Sequence, residues 1–178
     1  IFEMPNTNPT TTTREALEDK LSRAKGRAWC DYSFFVGAST DNIDRLAELE
    51  MLPGTPGIKI FAGSSTGSLL VDREEDLRQV FRNGKQRCPI HSEDEARNRE
   101  MKARISENPH PREHPLLRDA ESARISTERI LRLSEETGRP VHILHVSTAD
   151  EIPLLEKAKV DGLGTTCEIT PQHLWFSA

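Results

Sequence analysis

Apolar positions along the chain follow two rhythms that take turns. Short runs occupy 31–36, 57–61, 141–148 and 165–169, and a short apolar run in 87–94 closes on a histidine and an acidic turn; all five read as strands. Ile1-Phe2-Glu3-Met4 has the look of a strand's tail. Between these runs the apolar residues recur at helical spacing. Thr12-x-x-Glu15 has the form of a capping box and predicts a helix reaching about Ala28. Ile43, Leu46, Ala47 and Met51 would share one face of a second. Asp72-x-x-Glu75 opens a third, carrying Leu77, Val80 and Phe81, with Gly84 as its stop. Ser126 or Thr127 opens a fourth, with Ile130, Leu131 and Leu133, ahead of the stop signals Gly138 and Pro140. Thr148-x-x-Glu151 opens a fifth with Ile152, Leu154, Leu155 and Ala158. Strands alternating with amphipathic helices mean parallel βαβ units, in a barrel or a doubly wound sheet. No phosphate loop or GxGxxG follows a strand, so the expectation is an α/β fold of the TIM-type (β/α)8 barrel class.

Within Gly57-Ile58-Lys59-Ile60-Phe61 the alternation puts Ile58 and Ile60 on one face and Lys59 on the other. If helices cover the isoleucines, Lys59 points into the interior, where an ammonium is costly unless paired, neutralised or converted. A neutral lysine amine can take up carbon dioxide as a carbamate, an anion able to bridge two metal ions. A lone strand lysine more often snorkels to solvent. Two later strand ends weigh against that, because each carries a histidine: His91 before the acidic turn Ser92-Glu93-Asp94, and His145 in Val141-His142-Ile143-Leu144-His145. Period-two alternation places His142 and His145 on opposite faces, so at most one points inward. His145 lies nearer the C-terminal end, where parallel α/β proteins carry their chemistry. Neutral imidazoles suit zinc and its first-row neighbours.

Composition narrows the setting. Of the 178 residues 35% are hydrophobic and 30% charged, which is polar for a globular chain. The net charge of −5 offers no basic surface to nucleic acid and would not steer an acidic substrate. No run approaches a membrane span, so neither membrane nor nucleic acid is an expected partner. Cys30, Cys88 and Cys167 are scattered without CxxC spacing, favouring reduced thiols and a cytoplasmic location.

Five stretches together resemble the dihydroorotases of the cyclic amidohydrolase group, with allantoinases and hydantoinases as close relatives. They are Met4-Pro5-Asn6-Thr7-Asn8-Pro9, Gly57-Ile58-Lys59-Ile60-Phe61-Ala62-Gly63, His91-Ser92-Glu93-Asp94, His145-Val146-Ser147-Thr148 and Glu168-Ile169-Thr170-Pro171-Gln172-His173-Leu174. They occur in the family's order and run nearly end to end. The resemblance implies a (β/α)8 barrel with two zinc ions at the C-terminal ends of its strands, and reversible cyclisation of N-carbamoyl-L-aspartate to L-dihydroorotate in pyrimidine synthesis. By resemblance, Lys59 is the carboxylated lysine that bridges the zinc ions, and His91 and His145 are ligands of one of them. Asn6 is the residue that hydrogen-bonds the substrate carboxylate; without the resemblance it reads as a turn asparagine. Glu168 is read as a hydrogen-bonded barrel carboxylate and His173 as structural. Allantoinase, hydantoinase and a non-catalytic barrel of the same kind are the alternative functions. The partner is a small-molecule substrate, with room for a homodimer.

Two parts of the family pattern are missing. No His-x-His pair occurs, and the chain stops before a strand that would carry the general-base aspartate. A complete barrel takes about 250 residues, against 178 in this chain. The expectation is a single partial barrel domain over 1–178, an internal segment lacking the first and last strands and inactive alone. The stretch 94–119, with its prolines and clustered charge, reads as an excursion over the barrel mouth, and His110 and His114 in it as surface residues.

Overall fold

The computed structural model describes residues 1–65, 67–106 and 108–176, and its strands are all parallel. In chain order the elements are β1 (Phe2–Glu3), α1 (Arg14–Ala24), β2 (Ser33–Phe34), β3 (Val36–Gly37), α2 (Leu46–Leu49), β4 (Ile58–Phe61), α3 (Glu74–Arg82), β5 (Cys88–His91), α4 (Glu95–Lys102), α5 (His114–Leu117), α6 (Ala120–Thr137), β6 (Val141–Ile143), α7 (Ile152–Val160), β7 (Thr166–Cys167) and α8 (Pro171–Trp175). Strands pair in the order of the chain, β1 with β2 and then β3-β4-β5-β6-β7. Only Phe35 separates β2 from β3, and its N–H bonds Glu3 O at 2.9 Å. Sequential parallel pairing with helical crossovers is the partial (β/α) barrel that the periodicity implies.

The two faces of the sheet differ. Ile58 and Ile60, Cys88 and Ile90, and Val141 and Ile143 form one core with Leu77, Val80, Phe81, Ile130, Leu133 and Leu155 of the covering helices. Full burial of each such aliphatic side chain contributes roughly 1.5–3 kcal/mol. Register pairs Phe61 with His91, Pro89 with His142, and His142 with Thr166. Since alternate residues share a face, Lys59, Phe61, Pro89, His91, His142 and Thr166 line the inner face.

Helix starts depart from the sequence reading wherever capping decides them. α1 is capped by Thr13, whose hydroxyl accepts from Ala16 N–H at 3.2 Å, and it ends at Ala24. Asp72 caps nothing in α3; it pairs with Arg99 at 2.9 Å. α6 begins six residues before the expected Ser126, because the Asp119 carboxylate accepts from Ser122 N–H at 3.0 Å. Ser126 and Thr127 are then wholly buried inside the helix. Met51 is not on an apolar face; the helix ends at Leu49, and Met51 is exposed. The 94–119 stretch holds α4, capped by Asp94, as well as α5. Gly138, in the left-handed region at φ 73°, ends α6 as expected.

Candidate active site

The chemistry gathers where β4, β5 and β6 end. Lys59 is 2% exposed. Its Nζ donates to Ile60 O at 2.5 Å and sits 3.9 Å from the centroid of the Phe61 ring. Burial pushes the ammonium well below the ordinary lysine range, opposed in part by Cys88 and Glu168. A lysine so placed tends to the neutral amine, the form that reacts with carbon dioxide.

His91 and His145 come together: Nδ1 of the first lies 3.0 Å from Nε2 of the second. Burial, then the charge of His91, lowers the pKa of His145, favouring its neutral, ligating form. Two nitrogens bound to one tetrahedral zinc at 2.0–2.1 Å stand about 3.3 Å apart. A few tenths of an ångström of opening would therefore admit the ion. Among the described residues no group of three His, Cys, Asp or Glu side chains converges as a metal site. Two imidazoles so placed could hold one zinc ion, and Lys59 would be a further donor were it carboxylated.

Alternation predicts that His142 and His145 face opposite ways, and the structure corrects this. Glu168 N–H bonds Ile143 O at 3.1 Å, and Val146 N–H bonds Glu168 O at 2.8 Å. In a regular parallel ladder those two partners of Glu168 would be two residues apart; here they are three apart. The extra residue is a β-bulge, and His145 sits in it at φ 39°. The bulge swings His145 back toward His91. His142 stays on the inner face, with Nδ1 2.8 Å from Thr166 Oγ1 and Nε2 3.4 Å from Glu168.

Two groups that alternation and motif did not single out stand behind His91. Glu93 Oε2 lies 3.4 Å from its Nε2, and Arg118, delivered by the end of the 94–119 excursion, holds the same carboxylate at 2.6 Å. Burial would raise the Glu93 carboxyl, but hydrogen bonds from His91, Arg118 and Ser64 hold it down to about 2. A carboxylate accepting His91 Nε2–H leaves the Nδ1 lone pair facing His145. The turn that allows this has no room for a side chain at Gly63, where an added Cβ would fall 2.4 Å from Glu93 O. Glu93 was visible only as a motif letter; Arg118 lies 27 residues from its histidine and had no signal.

Asn6 follows β1 at the same end of the sheet and is exposed. Glu168 has its side chain about half exposed and faces His142. His173 is exposed in α8. His110 and His114 are exposed too, and His110 caps a turn by accepting from Arg112 N–H at 3.2 Å. A cavity of about 350 Å³ between α1 and β1–β2 is lined by Glu3, Lys20 and Phe34 among others, away from the histidines.

No protein-family model matches the chain. It is 33% identical to a dihydroorotase of Methanosarcina mazei over 99% of its own length, and 30% identical to an allantoinase of Rubrobacter xylanophilus over 98%. The chain spans 40% of the length of each of these relatives. Its fold superposes on the L-hydantoinase (dihydropyrimidinase) of Arthrobacter aurescens with a TM-score of 0.87 at 25% identity, covering 99% of this chain and 40% of that one.

Proposed function

This chain is homologous over nearly its whole length to the cyclic amidohydrolases, the group of its dihydroorotase, allantoinase and hydantoinase relatives, and on that footing we propose that it carries part of the active site of a zinc-dependent dihydroorotase. The observation that bears most weight is the convergence of His91 and His145 beside a desolvated Lys59. The neutral Lys59 amine would add to the carbon of CO2 and shed a proton to solvent, and the resulting carbamate would give Lys59 anionic oxygens able to hold zinc. Zinc, when bound, supplies Lewis acidity toward the ring carbonyl and toward water. His91 and His145 would hold one ion through their facing ring nitrogens, with Glu93 orienting His91 from behind. Asn6, at the same end of the sheet, donates to the substrate carboxylate.

Dihydroorotase is preferred over allantoinase because of Asn6 within Met4-Pro5-Asn6 and the slightly higher identity to the dihydroorotase relative. A cytoplasmic location goes with this reading: the cysteines are free, two of them exposed, and no helix among the described residues is long and apolar enough to cross a membrane. The test is to supply the zinc-loaded full-length protein with carbamoyl-aspartate, allantoin and hydantoin in parallel. Turnover of carbamoyl-aspartate to dihydroorotate is expected; preference for either of the others would reassign the substrate, and turnover of none would leave a non-catalytic barrel.

A further inference from the structure

Behind the histidine pair, on the helix side of the sheet, lies a buried carboxylate that the proposed chemistry does not use. Glu151 is 2% exposed and has no ion-pair partner among the described residues. Its Oε1 accepts from Thr127 Oγ1 at 2.7 Å, and its Oε2 from Thr148 Oγ1 at 3.3 Å. Thr127 Oγ1 in turn lies 2.9 Å from Ser92 Oγ. Thr127 has one hydroxyl proton and gives it to Glu151, so Ser92 donates to Thr127. The chain of bonds therefore has one direction: Ser92 to Thr127 to Glu151, with Thr148 donating from the other side.

Its ends fall where they matter. Ser92 directly follows His91, and Thr148 follows the bulge that aims His145. Thr127, fully buried in α6, is the fixed post between them. A non-glycine residue at φ 39° holds a strained conformation, so the segment after it must be tied down. A buried carboxyl group is tolerable only when its oxygens are bonded, and both are, one to Thr127 of α6 and the other to Thr148 in the loop after β6.

We propose that Glu151 is a positioning residue that, through Thr127 and Ser92 on one side and Thr148 on the other, sets the spacing of His91 and His145. This rests on the reading of the two histidines as a ligand pair. The experiment uses Glu151→Ala, Glu151→Gln, Thr127→Val and Thr127→Ser, with Leu133→Ala as a control that weakens the same helix away from the network. Two quantities are read on folded protein: the ¹⁵N shifts of the two imidazoles without metal, and the zinc dissociation constant by competition. Glu151→Ala and Thr127→Val should erase the ring-to-ring hydrogen-bond shift and weaken zinc about tenfold or more, the usual scale for groups that orient ligands. Thr127→Ser keeps the hydroxyl, and Glu151→Gln keeps an acceptor for Thr127 and offers its amide to Thr148, so both should retain both signals. Leu133→Ala should lower Tm and change neither. Unchanged imidazole shifts in Thr127→Val and in folded Glu151→Ala would overturn the proposal and leave Glu151 a purely stabilising group. Shifts that respond in a protein whose wild type binds no zinc at the pair would uphold the positioning role and reject the metal reading instead.

Discussion

At the N-terminal ends of β5 and β6 Arg139 and Glu50 lie 2.6 Å apart with 1% and 3% of their side chains exposed. At the opposite ends Lys59 is buried and His91 and His145 are half-buried, with Glu93 3.4 Å from His91 on the side away from His145. The first cluster is closed. Glu50 also accepts from Lys85 N–H at 2.6 Å, and Arg139 Nε bonds Cys88 Sγ at 3.1 Å. The second is open: burial lowers the pKa of Lys59 and of His145, the charges of His91 and Lys59 add to the effect at His145, and the two imidazole nitrogens face each other. Buried charge that finds its opposite reads as stability, and buried charge that does not is a site waiting for a ligand. In an α/β barrel those roles belong to the bottom and top of the strands.

The sharpest way to break the comparison is at the open end. Lys59→Ala should cut turnover of the metal-loaded enzyme by on the order of a thousandfold or more, since alanine can neither bridge nor form a carbamate. Wild-type kinetics in that variant would show the cluster is not a site. At the closed end Glu50→Ala strands a buried guanidinium and should cost about 3–5 kcal/mol in denaturant unfolding, while zinc affinity measured on the folded fraction stays put. A shift in zinc affinity there would mean the two ends are coupled. Glu93→Gln is expected to weaken zinc by about 10–100-fold, read by chelator competition, and to lower stability as well, because the amide gives up the charge that pairs with Arg118.

Smaller effects follow from pH in the metal-free protein. The lowered pKa of His145 means its contribution is present above the free-histidine value of about 6.5 and fades as pH falls through the folded value. Glu93, held at about 2, contributes stability above the unfolded value of about 4.3 that is lost as acid approaches the folded one. Lys59 acts in alkali: between its depressed folded pKa and its unfolded one the unfolded chain binds more protons, so stability rises with pH across that window. Lys59→Met should remove the alkaline rise and lift the neutral-pH Tm by about 2–4 °C. Thermal melts from about pH 2 to 10 would show each slope, and a Lys59→Met melt below wild type at neutral pH would contradict the desolvation of Lys59.

Much of the fold was legible because it depends on local periodicity. Ile58 and Ile60 against Lys59 declared a strand with two unlike faces, and Leu77, Val80 and Phe81 declared the helix that covers one of them. Helix starts were less legible, since Ser, Thr and Asp recur near every boundary and only geometry selects Thr13 over Thr12 or Asp119 over Ser126.

The sequence by itself determined the alternation of strand and helix, the inward lysine and the strand-end placement of His91 and His145, because side-chain period and burial cost are properties of a short segment. Tertiary structure decided the rest. The bulge at His145 exists only in the register of β6 against β7, and it reverses what alternation dictates. Arg118 reaches Glu93 and His91, and Glu151 reaches Thr127, across 24 to 27 residues of chain. No local pattern encodes such meetings; they follow from how α4, α5 and α6 pack over the sheet.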